Sequence, residues 1–264
     1  MNTDKARSFD PRESAQIRGQ QILISIVQLG SVDYATGLRL QQELVALRKE
    51  EKIGDILLLL EHSPVITLGR NAKAANVIAS PELLAQRGVE LFECDRGGDV
   101  TFHGPGQIVG YPIFDLRGFA TPEGKRKTLG VIEFVRRLEE VLIRTCADFA
   151  IPTKRVAGLT GVWTDPAEHI PEAKLAAIGV HISRSVTSHG FALNVNTDLT
   201  YFNLIIPCGI TTKPVTSMQQ QLGRELDLYS VAESISRNFG VVFESQMLWV
   251  ESLEALLSAT AAQP

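Results

Sequence analysis

The sequence predicts an α+β fold, a single domain in which helices flank a central mixed β-sheet. Strand-like and helix-like segments are mixed irregularly, with consecutive strand-like segments in the middle of the chain, unlike regular β-α-β repeats. No linker-like change of composition divides the 264 residues. Hydrophobic residues make up 44% of the chain and charged residues 21%, as in globular proteins that bury a sizeable core. We place the domain at residues 21–264 and expect residues 1–20, which are polar, to form a disordered tail.

The elements of the first part of the chain are predicted from short apolar runs and from the capping and breaking residues between them. Asp33 can cap a helix with three leucines on one face. Pro64 separates two short apolar runs, each typical of a strand. Ser80 followed by Pro81 is typical of a helix start. In order, these signals predict a strand at 21–29, a helix from 33 to about 50, strands at 56–61 and 65–69, and a helix at 80–88.

The second part of the chain has the same mixed character. Thr128 can cap a long amphipathic helix that Pro152 ends, and Cys146 on its apolar stripe is most simply a core residue. The remaining patterns predict strands at 156–163, 174–182 and 190–196, a helix through 228–239, a brief strand at 241–243 and a last helix at 248–257.

Bulk properties exclude several functions. The net charge of −4 shows no basic excess, so we expect no nucleic-acid partner. The three cysteines form no CxxC pair and no metal-type cluster, which argues against a disulfide framework or a bound metal and fits a reducing cytoplasm. No apolar run is long enough to span a bilayer, so we expect no membrane contact.

One glycine-rich stretch, residues 96–111, dominates the middle of the chain. It holds five glycines, one proline, one arginine and one histidine. A plain hairpin needs only one or two glycines at positive φ. We therefore interpret the stretch as a loop between strands at 89–92 and 108–114 whose bare backbone lies against a ligand. It lacks the spacing of a P-loop or of a dinucleotide site, so no nucleotide cofactor is indicated. Arg70 either faces the same site or lies on the surface.

Cys208 is the leading nucleophile candidate, because a cysteine between Pro207 and Gly209 has an accessible sulfur and neighbouring amides able to face an oxyanion. A buried structural thiol is the alternative. A free thiol is only about 3% ionised at neutral pH, so a nucleophile needs a nearby cation or base. Lys174, at the head of a strand of small residues, can supply one, although a surface lysine at a strand start is the simpler interpretation of its position. Cys94 and Cys146 are weaker nucleophile candidates, and the histidines that can act as bases are His103, His181 and His189.

At these residues the chain resembles the LipB-type octanoyltransferases, which begin lipoate assembly. Two positions depart from the usual family pattern, since Phe102 replaces Tyr and Asp99 replaces Gln. The matching segments occur in family order between residues 27 and 240: LLLLEH at 57–62, TLGR at 67–70, the stretch from 96 to 112, KLAAIG at 174–179, HGFALNV at 189–195 and PCG at 207–209.

The resemblance implies a biotin/lipoate-protein-ligase catalytic fold and an octanoyl transfer that needs no cofactor. The donor would be octanoyl-acyl carrier protein. The acceptors would be lysines of lipoyl domains, in 2-oxoacid dehydrogenase subunits and in the glycine cleavage H protein. Cys208 would carry the acyl group and Lys174 would stabilise its thiolate. The implied substrate-binding residues are Arg96, Gly97, Gly98, Asp99, Val100, Thr101, Phe102, His103, Ala177, Ile178, Gly179, Gly190, Phe191 and Ala192.

Two other functions stay open on the sequence alone. One is an ATP-dependent lipoate or biotin ligase with the same fold, which does not need Cys208. The other is a non-catalytic acyl-binding protein. We expect a monomer. We also expect a closed acyl tunnel, with room left by small residues, namely Gly97, Gly98, Gly104, Ala176, Ala177 and Gly179.

Overall fold

The chain folds around a large mixed sheet. The computed structural model describes residues 22–119, 128–166 and 171–261. Its strands are β1 (Ile22–Val32), β2 (Asp55–His62), β3 (Val65–Leu68), β4 (Glu90–Glu93), β5 (Val100–His103), β6 (Gln107–Ile113), β7 (Thr153–Val156), β8 (Leu159–Thr164), β9 (Lys174–Ser183), β10 (Val186–Asn194) and β11 (Ser245–Trp249). Its helices are α1 (Tyr34–Lys49), α2 (Pro81–Gln86), α3 (Val131–Asp148), α4 (Met218–Leu222), α5 (Leu228–Phe243) and α6 (Leu253–Ala261).

Eight of the strands form one sheet in the order β11-β1-β2-β6-β10-β9-β8-β7. The pairs β11–β1 and β1–β2 are parallel, and the other neighbours are antiparallel. β4, β3 and β5 form a separate three-stranded sheet. The predicted fold class, a mixed sheet with flanking helices, is therefore confirmed.

The large sheet buries both of its faces, as the alternation along β2 shows. Leu57 and Leu59 pack in one core with residues of α3 and α5. Ile56 and Leu58 pack in a second core with residues of α1 and α6. Because both faces are covered, β2 is apolar almost throughout, and it lies in the centre of the fold. Cys146 lies in the first core, where burial raises the pKa of its thiol to about 12, so it is a structural residue.

Three predicted elements are wrong in position or type. The long helix begins at Val131 after Gly130, and not at Thr128, because buried Leu129 first donates a hydrogen bond to Leu116. Residues 241–243 continue helix α5, whose apolar stripe reaches the buried Phe243. The predicted helix at 248–257 is divided between β11 and α6, because residues 245–249 pair with β1 as an edge strand.

Two further segments differ in detail. Residues 156–163, predicted as one strand, contain the turn that joins β7 to β8. The glycine-rich stretch is not one loop, because it contains β5 and the start of β6. The predicted tail at 1–20 lies outside the described residues. Within the described ranges, no helix combines the length and the apolar character that crossing a membrane requires.

The buried carboxylate of Glu139 joins α3 to the β7–β8 hairpin. It accepts hydrogen bonds from Arg136, from Arg155 and from the backbone of Gly161 on β8. The side chain of Glu139 is 0% exposed, whereas that of its neighbour Glu140 is 32% exposed. The hairpin is therefore held to α3 by a desolvated carboxylate.

We expect Glu139→Ala to lower the free energy of unfolding by about 3 kcal/mol, because it leaves buried donors unpaired. Glu140→Ala, which removes two partly exposed ion pairs, with Arg144 and Arg155, should cost about 1 kcal/mol or less. Urea unfolding of both variants measures the difference. Equal losses would show that the Glu139 contacts add nothing beyond a surface ion pair.

Candidate active site

Cys208 lies in a tight turn between residues 207 and 209. Its backbone is left-handed, with φ 55° and ψ 20°, and Gly209 follows at φ 67°. A non-glycine residue in this region is strained, and such strain clusters at functional sites. The amides of Gly209 and Ile210 already donate to the carbonyls of Ile206 and Pro207. The expectation that the neighbouring amides face an oxyanion is therefore wrong for these two groups.

Lys174 reaches the cleft because of a β-bulge at the start of β9. Val162 on β8 pairs with Ala176, but Trp163 pairs with Lys174, so Leu175 is the extra residue. Leu175 and Ala176 both lie in the core. Without the bulge, Lys174 would share the core-facing side of Ala176, and with it the side chain turns to the opposite face.

The structure brings these two residues together. Lys174 Nζ lies 3.2 Å from Cys208 Sγ, although the residues are 34 positions apart. The lysine is only 7% exposed, and the cysteine is partly buried. Of the weaker thiol candidates, Cys94 donates to the carbonyl of Leu68 instead.

A cleft of about 370 Å³ opens beside this pair. Lys174, Cys208 and all of the residues implied as substrate-binding line it, except Val100 and Phe102. Those two residues point the other way, since β5 alternates: Thr101 and His103 face the cleft, and Phe102 stacks on Tyr201 at 4.6 Å in the core of the small sheet. Val100 and Phe102 are therefore structural here.

The Arg96–Gly98 loop is held rigidly at the edge of the cleft. Arg96 is buried and donates to the hydroxyl and the carbonyl of Thr67. Gly97 donates to the carbonyl of Val180 on β9. A Cβ on Gly179 would lie 2.5 Å from the carbonyl oxygen of Gly97, so the strand and the loop touch through bare backbone. Arg70 is exposed and lies 3.5 Å from His181, outside the cleft.

Asp99 connects this loop to the cysteine turn. Its carboxylate accepts from the amides of Lys73 and Val100 and from the side chain of Asn76. A Cβ on Gly209 would lie 2.8 Å from the same carboxylate, so only glycine fits after Cys208. The acidic residue at this position therefore packs against the turn that presents the sulfur.

His103 and His189 line the cleft and His62 packs behind them, each with fixed partners. The Val32 carbonyl can only accept, so His62 donates through Nδ1 and accepts from the Tyr111 hydroxyl at Nε2. Both N–H groups of Gln107 are donated elsewhere, so its oxygen accepts from His103 Nδ1 at 2.8 Å.

Burial, with His62 and Arg96 nearby, lowers the pKa of His103 to about 3, so this histidine stays neutral. His189 contacts the carboxylate of Asp95 at 2.7 Å, while burial lowers its own pKa. Neither residue is placed as the partner of the Cys208 thiol. Of the histidines considered as bases, His181 also lies near Asp95, at 3.6 Å.

Several cleft residues carry no signal in the sequence. Tyr34 begins an ordinary amphipathic helix, and its ring is buried against His62 and His103. Trp163 lies on a short strand beneath Lys174. The tip of the β7–β8 hairpin also lines the cleft, through Gly158, Leu159 and Thr160.

Comparison with known proteins identifies the family. The catalytic-domain model of the lipoyl protein ligases A and B matches residues 33–240. An octanoyltransferase of Koribacter versatilis is 66% identical over 235 residues, which cover 89% of this chain and 90% of the relative. One of Acidobacterium capsulatum is 57% identical over 242 residues, covering 91% and 98%. The chain belongs to the octanoyltransferase family.

The fold also matches solved structures. A bipartite lipoate protein ligase of Thermoplasma acidophilum superposes with a TM-score of 0.66, covers 91% of both chains and is 14% identical. At that identity the likeness shows the fold alone. The predicted ligase-like architecture is confirmed, and the choice of chemistry depends on the site of this enzyme.

The neutral state of His103 makes the stability of the enzyme pH-dependent. The pKa of about 3 in the folded chain is below the ordinary value of 6.5, so unfolding takes up a proton between these limits. The contribution of neutral His103 to the free energy of unfolding is complete above pH 6.5 and is lost progressively as the pH falls toward 3. Relative to the parent, His103→Asn should reduce the slope of unfolding free energy against pH by about 1 kcal/mol per pH unit. Urea unfolding between pH 7 and 5 measures both slopes, and equal slopes would contradict the assignment.

Proposed function

We propose that this octanoyltransferase moves octanoyl from acyl carrier protein to a lipoyl-domain lysine through a thioester on Cys208. This is the first step of endogenous lipoate synthesis. The observation that carries the proposal is the 3.2 Å contact between Lys174 Nζ and Cys208 Sγ. An ammonium beside a sulfur favours the nucleophilic thiolate. The acceptors are the lipoyl domains of 2-oxoacid dehydrogenases and the H protein of glycine cleavage, and the reaction belongs in the reducing cytoplasm.

The first half-reaction exchanges one thioester for another. The Cys208 thiolate attacks the carbonyl carbon of the incoming octanoyl thioester and forms a new C–S bond. The bond to the pantetheine sulfur breaks, and that sulfur takes a proton from the Lys174 ammonium. The exchange is close to thermoneutral because one thioester replaces another, so it needs no ATP.

The second half-reaction forms the amide. The neutral amine of the target lysine attacks the acyl carbon, and the bond to Cys208 breaks. Lys174, left neutral by the first step, takes the proton that the amine loses. The thiolate and ammonium are thereby restored. An amide is more stable than a thioester, so this step drives the whole transfer.

The acyl chain runs from Cys208 toward Tyr34. Thr101, Ala177 and Ala192 border a narrow gap beside the sulfur. His103 follows Thr101 on the same face of β5, about 7 Å further on, and the Tyr34 ring stacks on it at 6.3 Å. Tyr34 is buried and lines the cleft, and we assign it as the end wall of the acyl path.

Two other functions remain as outcomes of the test. An ATP-dependent ligase would activate a free acid and would not need Cys208. A non-catalytic acyl-binding protein would hold the chain without a covalent bond. The close pairing of a lysine with a thiol favours the transferase, since neither alternative uses it.

Incubation with octanoyl-acyl carrier protein, without ATP, should add one octanoyl group to the enzyme, as intact mass spectrometry would show. Cys208→Ala should abolish the adduct. Lys174→Ala should slow its formation about a hundredfold at neutral pH, because general acid–base help is worth this much or more.

Cys94→Ala is the matched control, because Cys94 is also a partly buried free thiol. It should leave the adduct intact. Persistence of the adduct in Cys208→Ala, or a strict need for ATP, would overturn the proposed mechanism.

Replacing Tyr34 should change the preferred chain length. Two more buried methylenes are worth about 1.6 kcal/mol, or roughly fifteenfold, if the wall is removed. We therefore expect Tyr34→Ala to raise the ratio of decanoyl to octanoyl transfer by roughly tenfold, while Tyr34→Phe, which keeps the ring, preserves the ratio. The ratio of decanoyl to octanoyl transfer by one variant does not depend on the fraction of the protein that is folded. An unchanged ratio in Tyr34→Ala would place the end wall elsewhere.

A further inference from the structure

The Lys174 ammonium lies on the ring of Trp163. Nζ is 4.8 Å from the ring centroid, within the range of a cation–π interaction. Trp163 is 1% exposed and Lys174 is 7% exposed, so the contact is shielded from water. Such contacts are stronger when they are desolvated.

The bulge in β9 creates this contact as well as the one with Cys208. Because Leu175 is the extra residue, Trp163 on β8 is directly opposite Lys174. Directly opposite residues of antiparallel strands share a face and lie close together. The Trp163 ring is fixed in turn by its indole N–H, which donates to the carbonyl of Leu159. The same backbone irregularity therefore sets the aromatic ring, the ammonium and the thiol side by side.

The nearby acid is engaged elsewhere. Glu172 forms ion pairs with Lys154 and Lys213. Lys213 also lies near the Trp163 ring, at 5.8 Å. Among the described residues, Lys174 Nζ contacts the Cys208 sulfur and the Trp163 ring.

This choice of partner matters for the chemistry. A buried ammonium needs a compensating group, which is usually a carboxylate. A carboxylate would also attract the proton that Lys174 has to give up and take back. An aromatic face stabilises the charge but cannot accept the proton.

We propose that Trp163 is the positioning residue that holds the Lys174 ammonium against Cys208. The proposal deepens the proposed function and rests on it, because Lys174 is the acid and base of that mechanism. Trp163 acts through Lys174 and touches no reacting atom. Its effect should therefore appear in the reactivity of the thiol.

The test measures alkylation of Cys208 by iodoacetamide at pH 7, followed by peptide mass mapping. Trp163→Leu should slow the reaction roughly tenfold, and Trp163→Phe, which keeps an aromatic face, should retain most of the rate. Lys174→Met supplies the background. In the Lys174→Met variant, adding Trp163→Leu should cause no further slowing, because the ammonium that Trp163 holds is absent. If Trp163→Leu slowed alkylation by the same factor in the parent enzyme and in the Lys174→Met variant, Trp163 would be only a packing residue and the proposal would be overturned.

An isosteric replacement guards against loss of folding in Trp163→Leu. The chain has two tryptophans, and the other, Trp249, is changed to Phe on the edge strand β11. Fluorinated tryptophans then enter only position 163. Fluorine withdraws electron density from the ring face and so weakens a cation–π contact. The alkylation rate should therefore fall stepwise with each added fluorine, and a constant rate would overturn the proposal.

The alkylation uses neither acyl donor nor acceptor. It therefore reports on Trp163 even if octanoyl transfer fails. Conversely, the Cys208 adduct tests the transfer without relying on Trp163.

Discussion

The contact between one ammonium and one sulfur depends on two local departures from regular backbone. A β-bulge at Leu175 turns Lys174 away from the core. A left-handed residue at 208 lifts the cysteine out of a short turn. Both irregularities turn a side chain toward the same point, so the contact requires the two together. The large sheet and its two cores supply the rigidity that keeps both in place.

The polar end of the cleft is organised differently, by hydrogen bonds that leave little freedom. His62 and His103 each donate through Nδ1 to a group that can only accept. The histidines are thus fixed in one tautomer and stay neutral because of burial. In the proposed mechanism, neutral imidazoles suit an apolar chain, because a charged imidazolium there would lose its hydration when the chain enters. The proposed acyl transfer takes place at the other end, where Lys174 and Cys208 lie.

The sequence predicts those parts of the site whose residues break local rules. The glycine-rich stretch and the Pro-Cys-Gly turn stand out because regular elements do not tolerate them, and family resemblance adds Lys174. Tyr34 and Trp163 could not be found in this way, since a tyrosine in a helix and a tryptophan in a strand break no rule. Their roles arise from tertiary packing. The edge strand at 245–249 was missed for the same reason, because its identity depends on pairing with β1.

In the proposed mechanism, the room for the acyl chain comes from fewer small residues than the sequence suggests. Ala176 faces the core, and a Cβ on Gly104 would lie 2.5 Å from the Phe102 ring. Gly179 is needed for its backbone contact with Gly97. What remains beside the sulfur is Ala177 and Ala192, each of which leaves space by having only a methyl group. The glycines hold the loop against the strand, and the alanines shape the path. Enlarging an alanine should therefore narrow the cleft, whereas enlarging Gly179 should displace the whole loop.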